Sequence, residues 1–271
     1  MKQWYSIESS EENDSWEIRR RLDPFDLDEQ AYEAMELSSD GNSDQAEQML
    51  IDILRIDMAS LLAMDGLAHL YSATGRQSEA FQLASTGVLI GLEALPKKFK
   101  WGKSQLSYYW LPNRPFIRLL FLRASILSTV QGELGSATDL MANLLGSCPN
   151  DNLGVRYLLP SLYFKQGRTD DVIALCNRYP DDGSPFLTFA RPLALALSDR
   201  HAEAVEALAV VSDSYPLVLK ELRKKSHPKP RGYNGYSYAV GSAEEAFLYW
   251  RDYGEFWEDP KAQALLLDQE G

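Results

Sequence analysis

Two arginines, Arg118 and Arg156, carry the most directional chemistry in this chain. A guanidinium presents its N–H groups as a planar fork that matches a carboxylate or another anion. Each follows a helix-start signal by a few residues: Asn113-Arg114-Pro115 before Arg118, and Asn150-Asp151-Asn152 before Arg156. That placement suits two roles. One is an anion site on the inner side of a helical array. The other is a tie between neighbouring helices.

Catalytic and metal signatures do not accompany them. His69, His201 and His227 lie far apart, without a metal-ligand partner three or four residues away. No GxSxG elbow occurs. Gly102-Lys103-Ser104 ends like a phosphate-binding loop, but Lys97 stands where the first glycine of that motif belongs. The acids of Asp170-Asp171 and Glu244-Glu245 read as helix-start residues. Ser242 with Glu245 forms a capping-box pattern. The expectation is a chain that is not an enzyme and uses no cofactor.

Two stretches interleave basic and aromatic residues, Lys97 to Lys103 and, more loosely, Lys220 to Tyr233. They read as local patches for an acidic partner or as solvated loops. The chain as a whole holds 27 Lys and Arg against 39 Asp and Glu, a net charge of −12, which argues against a nucleic-acid partner.

The elements that must position these residues are helices. A glycine followed five residues later by a small residue recurs at Gly41/Ala46, Gly75/Ala80, Gly132/Ala137 and Gly167/Val172, and more weakly at Ala204. Ala46 to Ala80 is 34 residues, Ala137 to Val172 is 35 and Val172 to Ala204 is 32. A tetratricopeptide repeat is a helix–turn–helix of about 34 residues. Ala80 to Ala137 is 57, a repeat plus a long loop near residues 93–113. Pro149 and Pro216 end second helices, and Pro192 kinks or restarts one. No strand-like alternation rises above this pattern.

The expected fold is therefore all-α: a tetratricopeptide-like solenoid of about five helix pairs. It divides into an acidic segment at 1–27, the solenoid at 28–216 and an aromatic C-terminal cap at 217–271. In the cap, Tyr233, Tyr236, Tyr238, Phe247, Tyr249, Trp250, Tyr253, Phe256 and Trp257 form a packing stripe that docks on the last repeats. The repeat register turns Met35, Asp65, His69, Ile126, Tyr157, Ser161, Phe164, Phe189 and Leu193 toward the concave face. That apolar, aromatic set suits a peptide, or burial under the chain's own C-terminus.

Three runs go beyond repeat spacing. They are Asn113-Arg114-Pro115-Phe116-Ile117-Arg118, then Pro149 to Leu159 with its Pro-Asn-Asp-Asn-x-Gly-x-Arg core, then Gly241 to Ala246 with Tyr249 and Trp257. Together they resemble bacterial tetratricopeptide proteins similar to the suppressor-of-tumorigenicity-seven family. The resemblance implies a helical-repeat fold and brings no catalytic reaction.

The expected function is a binding scaffold or adaptor for a protein or peptide client. Its groove candidates are Met35, His69, Arg118, Ile126, Arg156, Tyr157, Ser161, Phe164 and Phe189. The alternative is a small-molecule, anion or enzymatic site between the repeats and the C-terminal segment, around Arg118 and Arg156. Cys148 and Cys176 are too few for a disulfide framework, and no signal peptide or membrane span is evident, so the expected setting is the cytoplasm without membrane partners. The aromatic C-terminus is compatible with a homodimer.

Overall fold

The computed structural model describes residues 4–10, 14–21, 26–235 and 238–268; Tyr236 of the aromatic stripe lies outside them. The chain divides into two compact units, Met1–Val155 and Arg156–Gly271.

In the first unit three helix pairs follow one another: α1 (Leu27–Ser39) with α2 (Ser43–Ile56), α3 (Leu61–Ala73) with α4 (Gln77–Ala94), and α5 (Arg114–Leu127) with α6 (Leu134–Ser147). The second unit holds α7 (Val155–Phe164), α8 (Thr169–Arg178), α9 (Pro185–Thr188), α10 (Ala190–Leu197) and α11 (His201–Ser214). Then come α12 (Pro216–Leu222), α13 (Ala243–Trp257) and α14 (Pro260–Asp268). No helix among the described residues is long and apolar enough to cross a membrane.

The repeat spacing has a direct structural cause. Ala46, Ala80, Ala137, Val172 and Ala204 are all 0 % exposed, so each marks where the second helix of a pair presses on its neighbours. Five residues before each, the chain turns through a left-handed residue: Gly41, Gly75, Gly132 and Gly167, and in the last pair Asp199 at φ 61°. At four of these turns the next N–H reaches back five residues, as in Asn42 to Leu37 O at 2.9 Å and Arg200 to Leu195 O at 2.9 Å. The fifth repeat was faint in sequence because an aspartate occupies its glycine position. Near Pro192 the helix does restart: α9 ends at Thr188 and α10 begins at Ala190.

The N-terminal segment corrects the sequence reading. Strands β1 (Tyr5–Ser10) and β2 (Ser15–Arg20) form an antiparallel hairpin, with Ile7 opposite Ile18 and Ser9 opposite Trp16. Trp16 and Ile18 are buried, at 5 % and 0 % exposure. Hydrogen bonds fasten the hairpin to the helices and the long loop. Tyr5 Oη donates to Ala59 O and accepts from Leu61 N, both at 2.9 Å, at the start of α3. Asn113, in the 3₁₀ turn Leu111–Asn113 before α5, accepts from Ile18 N at 2.8 Å and donates to Trp16 O at 2.9 Å. Trp16 N donates to Gln105 O at 2.8 Å.

The long loop between α4 and α5 is packed rather than free. Leu106 N donates to Ser147 O at 2.7 Å, Ser104 Oγ to Asp14 Oδ2 at 2.7 Å, and Gly102 N to Ser147 Oγ at 3.0 Å. Lys98 of its basic stretch lies 4.7 Å from the Trp16 ring centroid.

Candidate functional site

In the first unit, α1, α3 and α5 are the first helices of their pairs. Side chains spaced three or four residues apart give each helix one face: Asp28, Tyr32 and Met35 on α1; Leu62, Asp65 and His69 on α3; Arg114, Arg118 and Phe121 on α5. These faces are juxtaposed. Arg118 Nε lies 3.1 Å from Asp65 Oδ2, and His69 Nδ1 lies 3.0 Å from Asp65 Oδ1. Met35 lies against α3, within 3.0 Å of where a Cβ on Gly66 would stand. Ile126 packs on the core of α1 to α4.

Asp65 is the centre of this arrangement. It is 1 % exposed, and burial pushes its carboxyl up from the ordinary carboxylate range, against the pull of His69 and Arg118. Its Oδ1 has no aligned hydrogen bond among the described residues, because His69 Nδ1 donates to the Asp65 carbonyl oxygen at 2.9 Å instead. Tyr32 is 49 % exposed; burial of part of its ring, with Asp28 nearby, raises its phenol, and Arg114 and Arg118 oppose that shift. A polar bar thus crosses a face that also carries the apolar Met35, Leu62 and Phe121 and the ring of Tyr32, with Asp28 and Arg114 toward the helix starts.

One end of this face opens into a cavity of about 450 Å³ beneath the hairpin, lined by Ile18, Arg20, Tyr32, Leu62, Leu111 and Pro115 among others. Arg20 stands in its wall, paired with Asp57 and, at 3.1 Å, with Asp28. Tyr32, Arg114 and Phe121 were not singled out from sequence. Their signal was the spacing from residues that were, Tyr32 to Met35 and Arg114 to Arg118 to Phe121.

In the second unit the expected groove residues are arranged differently. Phe189 is 0 % exposed, with its ring centroid 5.5 Å from that of Tyr249 and 6.5 Å from that of Trp257. Phe164 meets Phe256 at 5.1 Å and Tyr253 at 6.4 Å. Tyr157 O accepts from Tyr253 Oη at 2.7 Å, and Leu193 is wholly buried. Helix α13 therefore covers Phe164 and Phe189, and they line no open groove in this unit. Ser161 Oγ donates to Leu158 O at 2.9 Å, within its own helix. The stripe that seats α13 is Tyr249, Tyr253 and Trp257, each at most 2 % exposed.

Arg156 sits in a network of the second unit. Its Nε lies 2.6 Å from Asp182 Oδ2, Nη2 donates to Tyr157 Oη at 2.5 Å, and Tyr157 Oη donates to Asp182 Oδ2 at 3.1 Å. Asp182 Oδ1 accepts from Ser184 N at 2.9 Å. The guanidinium thereby ties α7 to the turn before α9. The two arginines each hold a carboxylate of their own unit. Among the described residues no group of three His, Cys, Asp or Glu side chains is placed to hold a metal ion.

The fold has solved counterparts. YrrB, described as a TPR protein with an unusual peptide-binding site, superposes with a TM-score of 0.51 at 16 % identity, covering 69 % of this chain and 85 % of its own. A Podosopora anserina putative kinesin light chain with nearly identical TPR-like repeats gives 0.49 at 16 % identity, covering 71 % of this chain and 98 % of its own. Among curated proteins, none matches the chain in sequence. The tetratricopeptide-like fold anticipated with the suppressor-of-tumorigenicity-seven resemblance stands, and the family is set by a different match. The model of the family described as Transcriptional repressor TCF25 fits residues 59–246. That stretch is more than half of the chain and takes in helices of both units, so the chain belongs to the TCF25 family.

Proposed function

We propose that the protein is a non-catalytic adaptor that binds a peptide segment of a client protein along the α1, α3 and α5 face of its first unit. The observation that carries this reading is the face itself. Tyr32 and Met35 on α1 and Phe121 on α5 offer apolar contact, and the Arg118–Asp65–His69 bar offers polar groups beside them. An extended segment laid across such a face places its side chains in the apolar stretches and its backbone or a carboxylate at the bar. The cavity beneath the hairpin receives one apolar side chain at the end of the track.

The peptide-binding site named for YrrB and the regulatory role in the TCF25 description both agree with an adaptor. In this reading the client, not the adaptor, carries any chemistry.

The test is affinity capture by the wild-type chain and by a Tyr32→Ala, Phe121→Ala double variant shown by circular dichroism to be folded. Captured partners are then titrated with purified protein. A partner that binds wild type and loses at least about tenfold in affinity for the variant supports the face. Equal binding by both proteins removes the role from this surface.

A further inference from the structure

The long loop of the first unit carries a charge pattern that the peptide face does not use. From Ala94 to Gly132 the chain holds four Lys and three Arg and no Asp or Glu, although the whole protein carries −12. The four lysines, Lys97, Lys98, Lys100 and Lys103, fall within seven residues.

The structure separates the two residue types that alternate there. The rings turn inward. Phe99 meets Trp101 edge to face with centroids 5.1 Å apart, and Trp101 reaches the buried Phe116 of α5 at 6.4 Å. The lysines stay at the surface, all four exposed. Lys98 lies over the Trp16 ring. Lys97, Lys100 and Lys103 form no ion pair among the described residues. Asp14 stands near Lys98 and Lys100, but its oxygens already accept from Trp16 Nε1 at 2.8 Å and Ser104 Oγ at 2.7 Å. It offsets one of the four charges.

The backbone beneath them is held. Lys100 N donates to Ser104 Oγ at 2.9 Å, Ser104 N to Lys100 O at 2.8 Å, and Gly102 N to Ser147 Oγ at 3.0 Å. Gly102 also rests on Gly146 of α6, where a Cβ would stand 2.5 Å from its Cα. A partner therefore meets a patch whose backbone is already in place.

We propose that the Lys97–Lys103 loop is a second docking site, for an acidic polypeptide segment. Asp or Glu side chains of the segment meet the ammonium groups of Lys97, Lys100 and Lys103. The argument is charge complementarity. Screening over about 8 Å at physiological ionic strength lets a short acidic segment sense the loop more than the −12 of the whole chain. Nucleic acid fits less well on two counts. The rings between the lysines are engaged with each other and with Phe116 rather than standing out for bases. A long polyphosphate would also run past the loop onto acidic surface.

The experiment uses the full chain and two peptide display libraries. One fixes three Asp or Glu residues among randomised positions, and the other fixes three Lys or Arg residues. Selection should enrich the acidic library. A synthetic peptide of the enriched sequence should bind a Lys97→Glu, Lys100→Glu, Lys103→Glu triple variant at least about tenfold more weakly and lose affinity with added salt. The matching triple Gln variant, which only removes charge, should fall between. Lys103→Glu alone should weaken binding about threefold, and it decides the matter if circular dichroism shows the triple variants to be misfolded. Equal enrichment from both libraries overturns the proposal, as does no enrichment from either. Unchanged affinity in the folded lysine variants overturns it too. Competition by single-stranded oligouridine would reassign the loop to nucleic acid and likewise overturn it. The Tyr32→Ala, Phe121→Ala double variant should bind this peptide as wild type does. Binding lost there and kept in the lysine variants would place the peptide on the other face and overturn this site.

Discussion

Arg118 Nε stands 3.1 Å from Asp65 Oδ2, and the residue it reaches is almost wholly buried while Arg118 itself is 29 % exposed. The partners are unequal. Without Asp65, the arginine could turn to water. Without Arg118, the carboxylate would stay buried with His69 as its remaining counter-group among the described residues.

Arg118→Ala should therefore destabilise the fold by about 3 kcal/mol at neutral pH. The cost should shrink in acid. Burial raises the Asp65 carboxyl in the folded protein, so its contribution is fully present below its unfolded value and is lost as pH rises through its folded one. Removing the arginine raises the folded value further and enlarges the loss at high pH. Urea denaturation at pH 4.5 and pH 8 checks this: the difference between wild type and variant should be larger at pH 8. A cost independent of pH would place the arginine's role in packing alone.

Asn113 is 0 % exposed and bonds to Ile18 N, Trp16 O and Ser107 O. Asn113→Ala leaves two strand groups without their partner and should cost about 2–3 kcal/mol. Hydrogen exchange should show protection lost at Ile18 while the amides of α2 and α4 keep theirs. Uniform loss over all helices would mean that the hairpin and the solenoid unfold as one.

Gly146 on α6 is in contact with backbone rather than side chain. A Cβ there would meet Gly102 Cα at 2.5 Å and its carbonyl oxygen at 2.8 Å. Gly146→Ala should cost about 2 kcal/mol by pushing the loop off α6. The same substitution should speed proteolytic cleavage after Lys100 or Lys103. Cleavage at the wild-type rate would show that the loop tolerates the shift.

Cys176 is buried and its Sγ donates to Leu187 O at 3.4 Å; burial pushes the thiol up to about 12. Cys148 is raised by the same cause. A thiolate-dependent reagent such as dithionitrobenzoate should leave both unmodified at pH 8 in the native protein and titrate both in guanidinium. Rapid labelling of either under native conditions would reveal local opening.

The repeat scaffold was legible because one constraint is local: a left-handed turn and, five residues on, a residue small enough for close helix contact. Gly41 with Ala46 and Gly75 with Ala80 state it twice in the same spacing. The Ser242 cap was legible for the same reason, although Glu245 bonds to Gly241 N at 2.6 Å rather than to the N–H of Ser242. Long-range partners were not. Nothing near Arg118 points to Asp65, and the stripe of Tyr249, Tyr253 and Trp257 points to the last repeats without picking out Phe189. The hairpin escaped because the alternation of Trp16 and Ile18 is a single step long and is set among Glu8, Glu17 and two arginines. Its burial is decided by Asn113, which is 95 residues away.

That separation has a consequence during synthesis. Trp16 and Ile18 emerge from the ribosome well before Asn113 does, by roughly 5–20 s at ordinary elongation rates. A lone two-stranded hairpin is marginal in water, and until Asn113 arrives it has the Tyr5 tie to Ala59 and Leu61 but lacks the clamp on Trp16 and Ile18. The hairpin thus waits for a clamp that is made long after its own strands. A substitution that slows formation of α5 would lengthen that wait without touching the hairpin itself.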